Sequence, residues 1–206
     1  HIEGYLYQHK LEKKVSGPKS RNPGVEFITG TIEIATDNSL LNIVPVHFTY
    51  VTATTSTGKA NNAFTVLKNI IDGVYSDYGH HPVEIAATLK MAKELKERNG
   101  YTGVVAVYQP HQNIRQHEIG DGYKDAFIDA NKVFWLPTYL VREDPNLAVL
   151  TPADLIATLS NSEIAEAAEC DDVLAQKIRQ LHDENWLVIL LAAGPADAWF
   201  REVFTD

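Results

Sequence analysis

From position 82 onward the chain switches repeatedly between two periods of apolar residues. Val104 to Tyr108 and Trp186 to Ala193 are continuous apolar runs of strand length, the pattern of strands buried on both faces of a sheet. Lys132 to Leu136 reads as a further strand. Pro82 opens a helix, where its missing N–H costs nothing. Ile85, Leu89, Met91, Ala92 and Leu95 then recur at helical spacing up to a stop near Asn99-Gly100. Tyr123 to Ala130 predicts a short helix. Thr151-Pro152-Ala153-Asp154 predicts a helix start with Thr151 as N-cap. Asp171 to His182 is an amphipathic helix, and Ala196 to Phe204 is a last one after the Gly194-Pro195 turn. This alternation predicts an α/β fold, with a Rossmann-like, mostly parallel sheet and flanking helices.

The first third of the chain has another texture. Residues 1–24 carry Lys10, Lys13, Lys14, Lys19 and Arg21 around Gly17-Pro18 and Pro23-Gly24, which leaves no core-forming face and reads as a tail or linker. Val25 to Ile28, Thr31 to Ile34, Leu40 to Val46 and Phe48 to Thr55 read as short strands rich in β-branched residues. Ser56 to Lys59 is a turn, Ala63 to Ile71 fits strand or helix, and Asp72-Gly73 is a turn signal. The expected organisation is therefore a tail at 1–24, a small β-rich segment at 25–72 and a Rossmann-like domain at 73–206.

Composition narrows the partners. The 206 residues are 45% hydrophobic and 22% charged, an ordinary globular balance, and the formal net charge is -9. That charge argues against a general binder of nucleic acid or of an anionic membrane, since both need a basic face. No apolar run approaches the roughly 18 residues that span a bilayer. The single cysteine, Cys170, lies in an acidic run, where nothing lowers its pKa, and it forms no disulfide within the chain. A cytoplasmic setting fits.

Parallel sheets bind ligands beyond the carboxyl ends of their strands. That rule selects the loops before Pro82, after Tyr108 and after Leu191, and the first two are rich in chemistry. Asp77-Tyr78-Gly79-His80-His81-Pro82-Val83-Glu84 precedes a helix whose first-turn N–H groups offer an anion site. His80 and His81 can donate to phosphate or carboxylate oxygens. The alternative is a polar helix cap with surface histidines. Gln109-Pro110-His111-Gln112-Asn113-Ile114-Arg115 follows a buried strand, and Arg115 can grip a carboxylate or phosphate in bidentate fashion. Its alternative is an ordinary polar loop. Ala53 to Ala60, with Gly58-Lys59, is similar to a phosphate-cradling loop, but Ala53 replaces the first glycine and Ala60 the magnesium-binding hydroxyl. A plain turn is the competing reading there. The histidines lack the spacing of a zinc site, so no metal centre is expected.

In this order the motifs resemble the Mur ligase family, over about Phe64 to Phe204. "SDYGHHPVEIAATLKMAKE" and "VVAVYQPHQNIRQ" carry the resemblance, and "ADAWFREVF" after "LLAAG" supports it. Within the family the match is to the carboxy-terminal domain of the ligases that add L-alanine to UDP-N-acetylmuramate in peptidoglycan precursor synthesis. The resemblance implies an ATP- and Mg2+-dependent amide-forming reaction in the cytoplasm, completed by other ligase domains or a second chain. It implies that Tyr78, His80 and His111 line the amino-acid and nucleotide region. It also implies that Arg115 faces a carboxylate or developing phosphate charge, with Asp77 and His81 shaping the same pocket. Arg115 and His111 are the catalytic candidates; Gly58 and Lys59 join the nucleotide-binding ones.

The chain departs from the pattern at Gln112, where the family usually has Arg, at Asn62-Ala63-Phe64-Thr65, and at Ala192-Ala193-Gly194-Pro195. Residues 25–60 read either as the tail of the family's central ATPase domain or as a decayed form of its phosphate loop, and in both cases a complete ATPase domain is missing. Two functions follow: part of an amide-forming ligase, or a non-catalytic ligand-binding or interaction module derived from it.

Overall fold

A computed structural model describes residues 25–35, 43–54 and 60–205, with side chains from 69 to 204. One sheet organises the described residues. Its eight strands are β1 (Val25–Ala35), β2 (Ile43–Thr54), β3 (Ala60–Ile71), β4 (Val74–Asp77), β5 (Val104–Gln109), β6 (Lys132–Trp135), β7 (Ala165–Ala167) and β8 (Leu187–Ala192), in the spatial order β1-β2-β3-β4-β8-β5-β6-β7. β1, β2 and β3 form an antiparallel meander, and β3 joins β4 antiparallel. From β4 onward every pairing is parallel. The expected α/β class and the preceding β-rich segment are both present.

Two helical layers cover the parallel part. α1 (Pro82–Asn99), α2 (Asn113–Ile119) and α3 (Pro152–Ile156) follow β4, β5 and β6; α4 (Asp172–Asp183) and α5 (Ala196–Thr205) flank β8. β5 and β8 are buried at every position, and their alternating side chains feed two cores. Val104, Ala106, Tyr108, Leu187, Ile189 and Leu191 pack with α1, Tyr123, Phe127, Trp135 and Leu155. Val105, Val107, Val188 and Leu190 pack with Leu174 and Ile178 of α4 and Phe200 of α5. β8 inserts between β4 and β5, so the chain reverses its direction of advance across the sheet. The loops after β4, β5 and β8 thus meet at one edge, the place where such sheets bind ligands.

Several elements depart from the sequence reading. The paired short strands at 25–34 and 40–55 are single long strands, and Ala60–Ile71 is strand. β4 escapes a hydrophobic scan because half of its four buried residues are polar, Ser76 and Asp77. Tyr123 to Ala130 is not a helix. A 3-10 turn at Gly120–Tyr123 leads into successive turns, with Ala126 N–H bonded to Tyr123 O and Ala130 N–H to Phe127 O. Those i→i+3 bonds bury Tyr123 and Phe127 at helix-like spacing without a helix. Thr151 does cap α3, accepting from Asp154 N–H at 3.2 Å while Asp154 accepts from Thr151 N–H at 2.8 Å, a reciprocal capping box. Gly100, at φ 76°, ends α1 in the left-handed conformation that favours glycine.

Candidate functional site

β4 delivers Asp77 to the sheet's carboxyl edge, and the next four residues turn into α1. Asp77 is buried, accepting Gly79 N–H at 3.0 Å and the Thr88 hydroxyl of α1. Burial drives its carboxyl pKa up to about 7, outweighing hydrogen bonds from Thr88, Gly79 and Tyr78, and the Glu84 carboxylate adds to the rise. Glu84, in the first turn of α1, accepts the N–H groups of His80 and His81, each at 3.1 Å. The N–H groups of Gly79, His80 and His81, just before α1, thus serve Asp77 and Glu84.

The second loop changes more. Asn113–Ile119 is helical, so Arg115 stands in the first turn of α2 rather than in a loop. Gln112 precedes it at φ 64° and ψ 120°, a conformation an L residue adopts only under constraint. Its N–H donates to Tyr139 O at 2.9 Å, and its side-chain amide to Val141 O at 3.3 Å. Glu143 closes this helix start, accepting Asn113 N–H at 3.0 Å, Ile114 N–H at 3.2 Å and Val141 N–H at 2.9 Å. Desolvation pushes the Glu143 pKa upward, but the three donors win and hold it below the usual carboxylate value.

These two loops bring three predicted residues together. The Arg115 guanidinium donates to His80 Nε2, and the His80 and His111 rings lie 5.4 Å apart. A guanidinium only donates, so Nε2 is the accepting nitrogen. Nδ1 then carries the proton and gives it to Tyr78 O at 3.1 Å. The His111 pKa is lowered, first by burial and then by His80 and Arg115, and its Nδ1 is buried without a hydrogen-bond partner. Among the described residues Arg115 forms no ion pair with a carboxylate. The cluster is thus one cation flanked by imidazoles, suited to a single anionic group.

Tyr78 stands 69% exposed beside it, its ring 5.6 Å from that of His80. His81 is exposed at the mouth, and its pKa is lowered mainly by partial burial. His117, which bonds Ala148 O at 2.9 Å, takes no part. Gly58 and Lys59 lie outside the described residues. Among the described residues no three His, Cys, Asp or Glu side chains are placed to hold a metal ion. No described helix is long and apolar enough to cross a membrane.

Comparison with known proteins decides the family. No protein-family model matches the chain. A UDP-N-acetylmuramate–L-alanine ligase of Maricaulis maris is 38% identical over 128 residues, 61% of this chain and 26% of that protein. Ligases of the same name from Ruegeria sp. and Roseobacter denitrificans are 36% and 37% identical over 152 residues. The chain belongs to the Mur ligase family. It spans only about a quarter to a third of the curated relatives it matches, between 26% and 32% of their lengths. A solved UDP-N-acetylmuramate-alanine ligase from Thermotoga maritima overlays with a TM-score of 0.38 at 20% identity, covering 63% of this chain and 26% of that one.

Some neighbours of this candidate site in the Mur ligase chain escape a reading by motif. Thr88 left a signal, a polar residue on the apolar stripe between Ile85 and Leu89. Glu143 left none, because it acts from 28 residues beyond Arg115, across a loop whose shape no local pattern encodes.

Proposed function

We propose that this chain is the carboxy-terminal part of an ATP-dependent amide-forming ligase that joins L-alanine to UDP-N-acetylmuramate in the cytoplasm, with the rest of the enzyme supplied by further ligase domains or a second chain. The observation that carries the proposal is Arg115, a cation without a carboxylate partner among the described residues, bonded to His80, whose ring lies beside that of His111, at the carboxyl ends of parallel strands. In such a reaction ATP activates the substrate carboxylate as an acyl phosphate. The amino acid's amine attacks that carbon, and phosphate leaves. Negative charge builds on oxygen throughout, and a guanidinium in a partly desolvated cluster stabilises it.

Arg115 then meets the amino-acid carboxylate or the phosphoryl oxygens. His111, uncharged at neutral pH, and His80, fixed as the Nδ1–H tautomer, orient what Arg115 holds. Tyr78 offers a flat exposed wall, Asp77 and His81 shape the loop, and Gly58 and Lys59 serve the nucleotide. The described residues fit one anionic group and provide no set for Mg2+, so no step is assigned to the metal. A second reading, a non-catalytic ligand-binding or interaction module, draws support from Ala53 and Ala60 in place of the glycine and hydroxyl of a phosphate loop.

Isothermal titration with L-alanine, ATP and UDP-N-acetylmuramate tests the site. Binding of L-alanine or ATP that disappears in Arg115→Ala supports it; no binding of any of the three overturns it. Phosphate release should be undetectable for the chain on its own; release that appears once the remaining ligase domains are supplied favours the ligase reading, and binding that stays without release in their presence favours the module.

A further inference from the structure

Beneath the His80 loop runs a buried polar chain that the reaction above does not use. Tyr108 and Tyr123 are both fully buried, in a cluster of aromatic rings with Phe127 and Trp135. The Tyr108 hydroxyl lies 3.0 Å from the carbonyl oxygen of His80 and 2.7 Å from the Tyr123 hydroxyl. The Tyr123 hydroxyl lies 2.6 Å from Gln116 Oε1. Gln116 Nε2 in turn donates to the carbonyls of His111 at 3.1 Å and Gln112 at 3.3 Å. One continuous chain therefore joins the backbone of the His80 loop to the backbone of the His111 loop.

The protons do not match the contacts. Two phenols supply two protons, while the chain makes three short contacts. Burial raises both phenol pKa values, that of Tyr123 to about 12, so both protons stay in place at neutral pH. The Gln116 amide is held in its orientation because Nε2 faces two carbonyls, so Oε1 has to face Tyr123. In one arrangement Tyr123 donates to Tyr108 and Tyr108 donates to His80 O. In the other, Tyr108 donates to Tyr123 and Tyr123 to Gln116, and His80 O loses its hydroxyl donor. If both protons pointed outward, two oxygens 2.7 Å apart would face each other with none between them.

We propose that Tyr108 is a positioning residue for the His80 loop, and that Tyr123 and Gln116 set its grip: the Tyr123 oxygen competes with His80 O for the Tyr108 proton, and Gln116 Oε1 competes with the Tyr108 oxygen for the Tyr123 proton. Tyr108 is the only donor to the His80 carbonyl among the described residues. When Tyr123 gives its proton to Tyr108, the loop that presents His80 to Arg115 is tied to β5. When Tyr123 turns to Gln116, the tie is released and the His111 side is secured. The relevance to ligand binding rests on the reading of His80 and Arg115 given under Proposed function; the positioning role does not.

Three variants of the full chain separate this from simple core stabilisation. Tyr108→Phe keeps the ring but leaves His80 O without its donor. Tyr123→Phe instead leaves the Tyr108 proton one destination, His80 O, and Gln116→Met leaves the Tyr123 proton only the Tyr108 oxygen, which favours the same tie. The readout is hydrogen exchange at the amides of Gly79, His80 and His81, which bond Asp77 and Glu84 and so report opening of the loop. Tyr108→Phe is expected to speed exchange about two- to tenfold, the range of one net hydrogen bond. Tyr123→Phe and Gln116→Met are expected to leave it unchanged or slow it. Equal acceleration in Tyr108→Phe and Tyr123→Phe, or no acceleration in Tyr108→Phe, overturns the proposal. If Tyr108→Phe fails to fold, acceleration in both other variants overturns it and retention in both supports it. L-alanine and ATP titrations run on the same proteins. Faster exchange with weaker binding supports both readings, whereas faster exchange with unchanged binding keeps the positioning role and removes the ligand role of the loop.

Discussion

Replacing Asp77 with Asn should change how stability depends on pH, in a direction opposite to that of most carboxylates. Asp77 is buried, and its pKa rises from 3.8 to about 7 in the folded chain. A folded pKa above the unfolded one means that the folded state holds the proton more tightly. Its stabilisation is fully present below pH 3.8 and is lost as pH rises through about 7. The whole shift corresponds to roughly 4 kcal/mol, of which roughly 2.5 kcal/mol falls between pH 5 and pH 8. In Asp77→Asn the side-chain oxygen still accepts Gly79 N–H, and the new amide donates to Thr88, whose hydroxyl turns to accept. The asparagine carries no proton to lose. Urea unfolding of both proteins at pH 5 and pH 8 measures the difference, in which every other titrating group cancels. Relative to the native chain, the variant should gain roughly 2.5 kcal/mol between the two values. A difference independent of pH would refute the reasoning and place an ordinary carboxylate at Asp77.

Glu143→Ala leaves the N–H groups of Asn113, Ile114 and Val141 without their acceptor. It should cost about 1–2 kcal/mol and speed exchange at Asn113 and Ile114, loosening the turn that carries Arg115. Because the Glu143 pKa is lowered, the native chain should lose that contribution as pH falls through the folded value, which acid titration of the two proteins would show. Gly103→Ala tests the packing beneath the sheet. A Cβ there would lie 2.4 Å from Trp186 Cζ3 and 2.6 Å from Cε3, an overlap that should cost about 1–3 kcal/mol and lower the Tm, read by calorimetry.

Most of the parallel half was legible because each element obeys a local rule. The stripe Ile85, Leu89, Ala92, Leu95 and the glycine after it fix α1, and β5 and β8 are written as continuous apolar runs. Where neighbours overrode the local pattern, the reading failed. Ser76 and Asp77 belong to a buried strand because Arg201 bonds Ser76 at 2.9 Å and Thr88 bonds Asp77, partners distant in sequence. Gln109 to Arg115 looked like one loop because its last residues begin a helix held by Glu143, with no capping side chain of its own. The site divides in the same way. The loops and their meeting at one sheet edge follow from the strand rule and the motifs. The hold of Glu84 on the His80 and His81 N–H groups, and of Glu143 on the start of α2, depends on packing that no motif records.

In the proposed function Arg115, His80 and His111 form one anion-contacting cluster. Nitrogen-15 NMR of the histidine rings during titration with L-alanine and then ATP tests it most directly. An arriving carboxylate or phosphate should draw Arg115 away from His80 Nε2, moving that resonance, and should shift His111 with it. His117 and His182, which bond Ala148 O and Asp72 O, should stay still. Rings of His80 and His111 that do not respond, or four histidines that shift alike, would contradict the account.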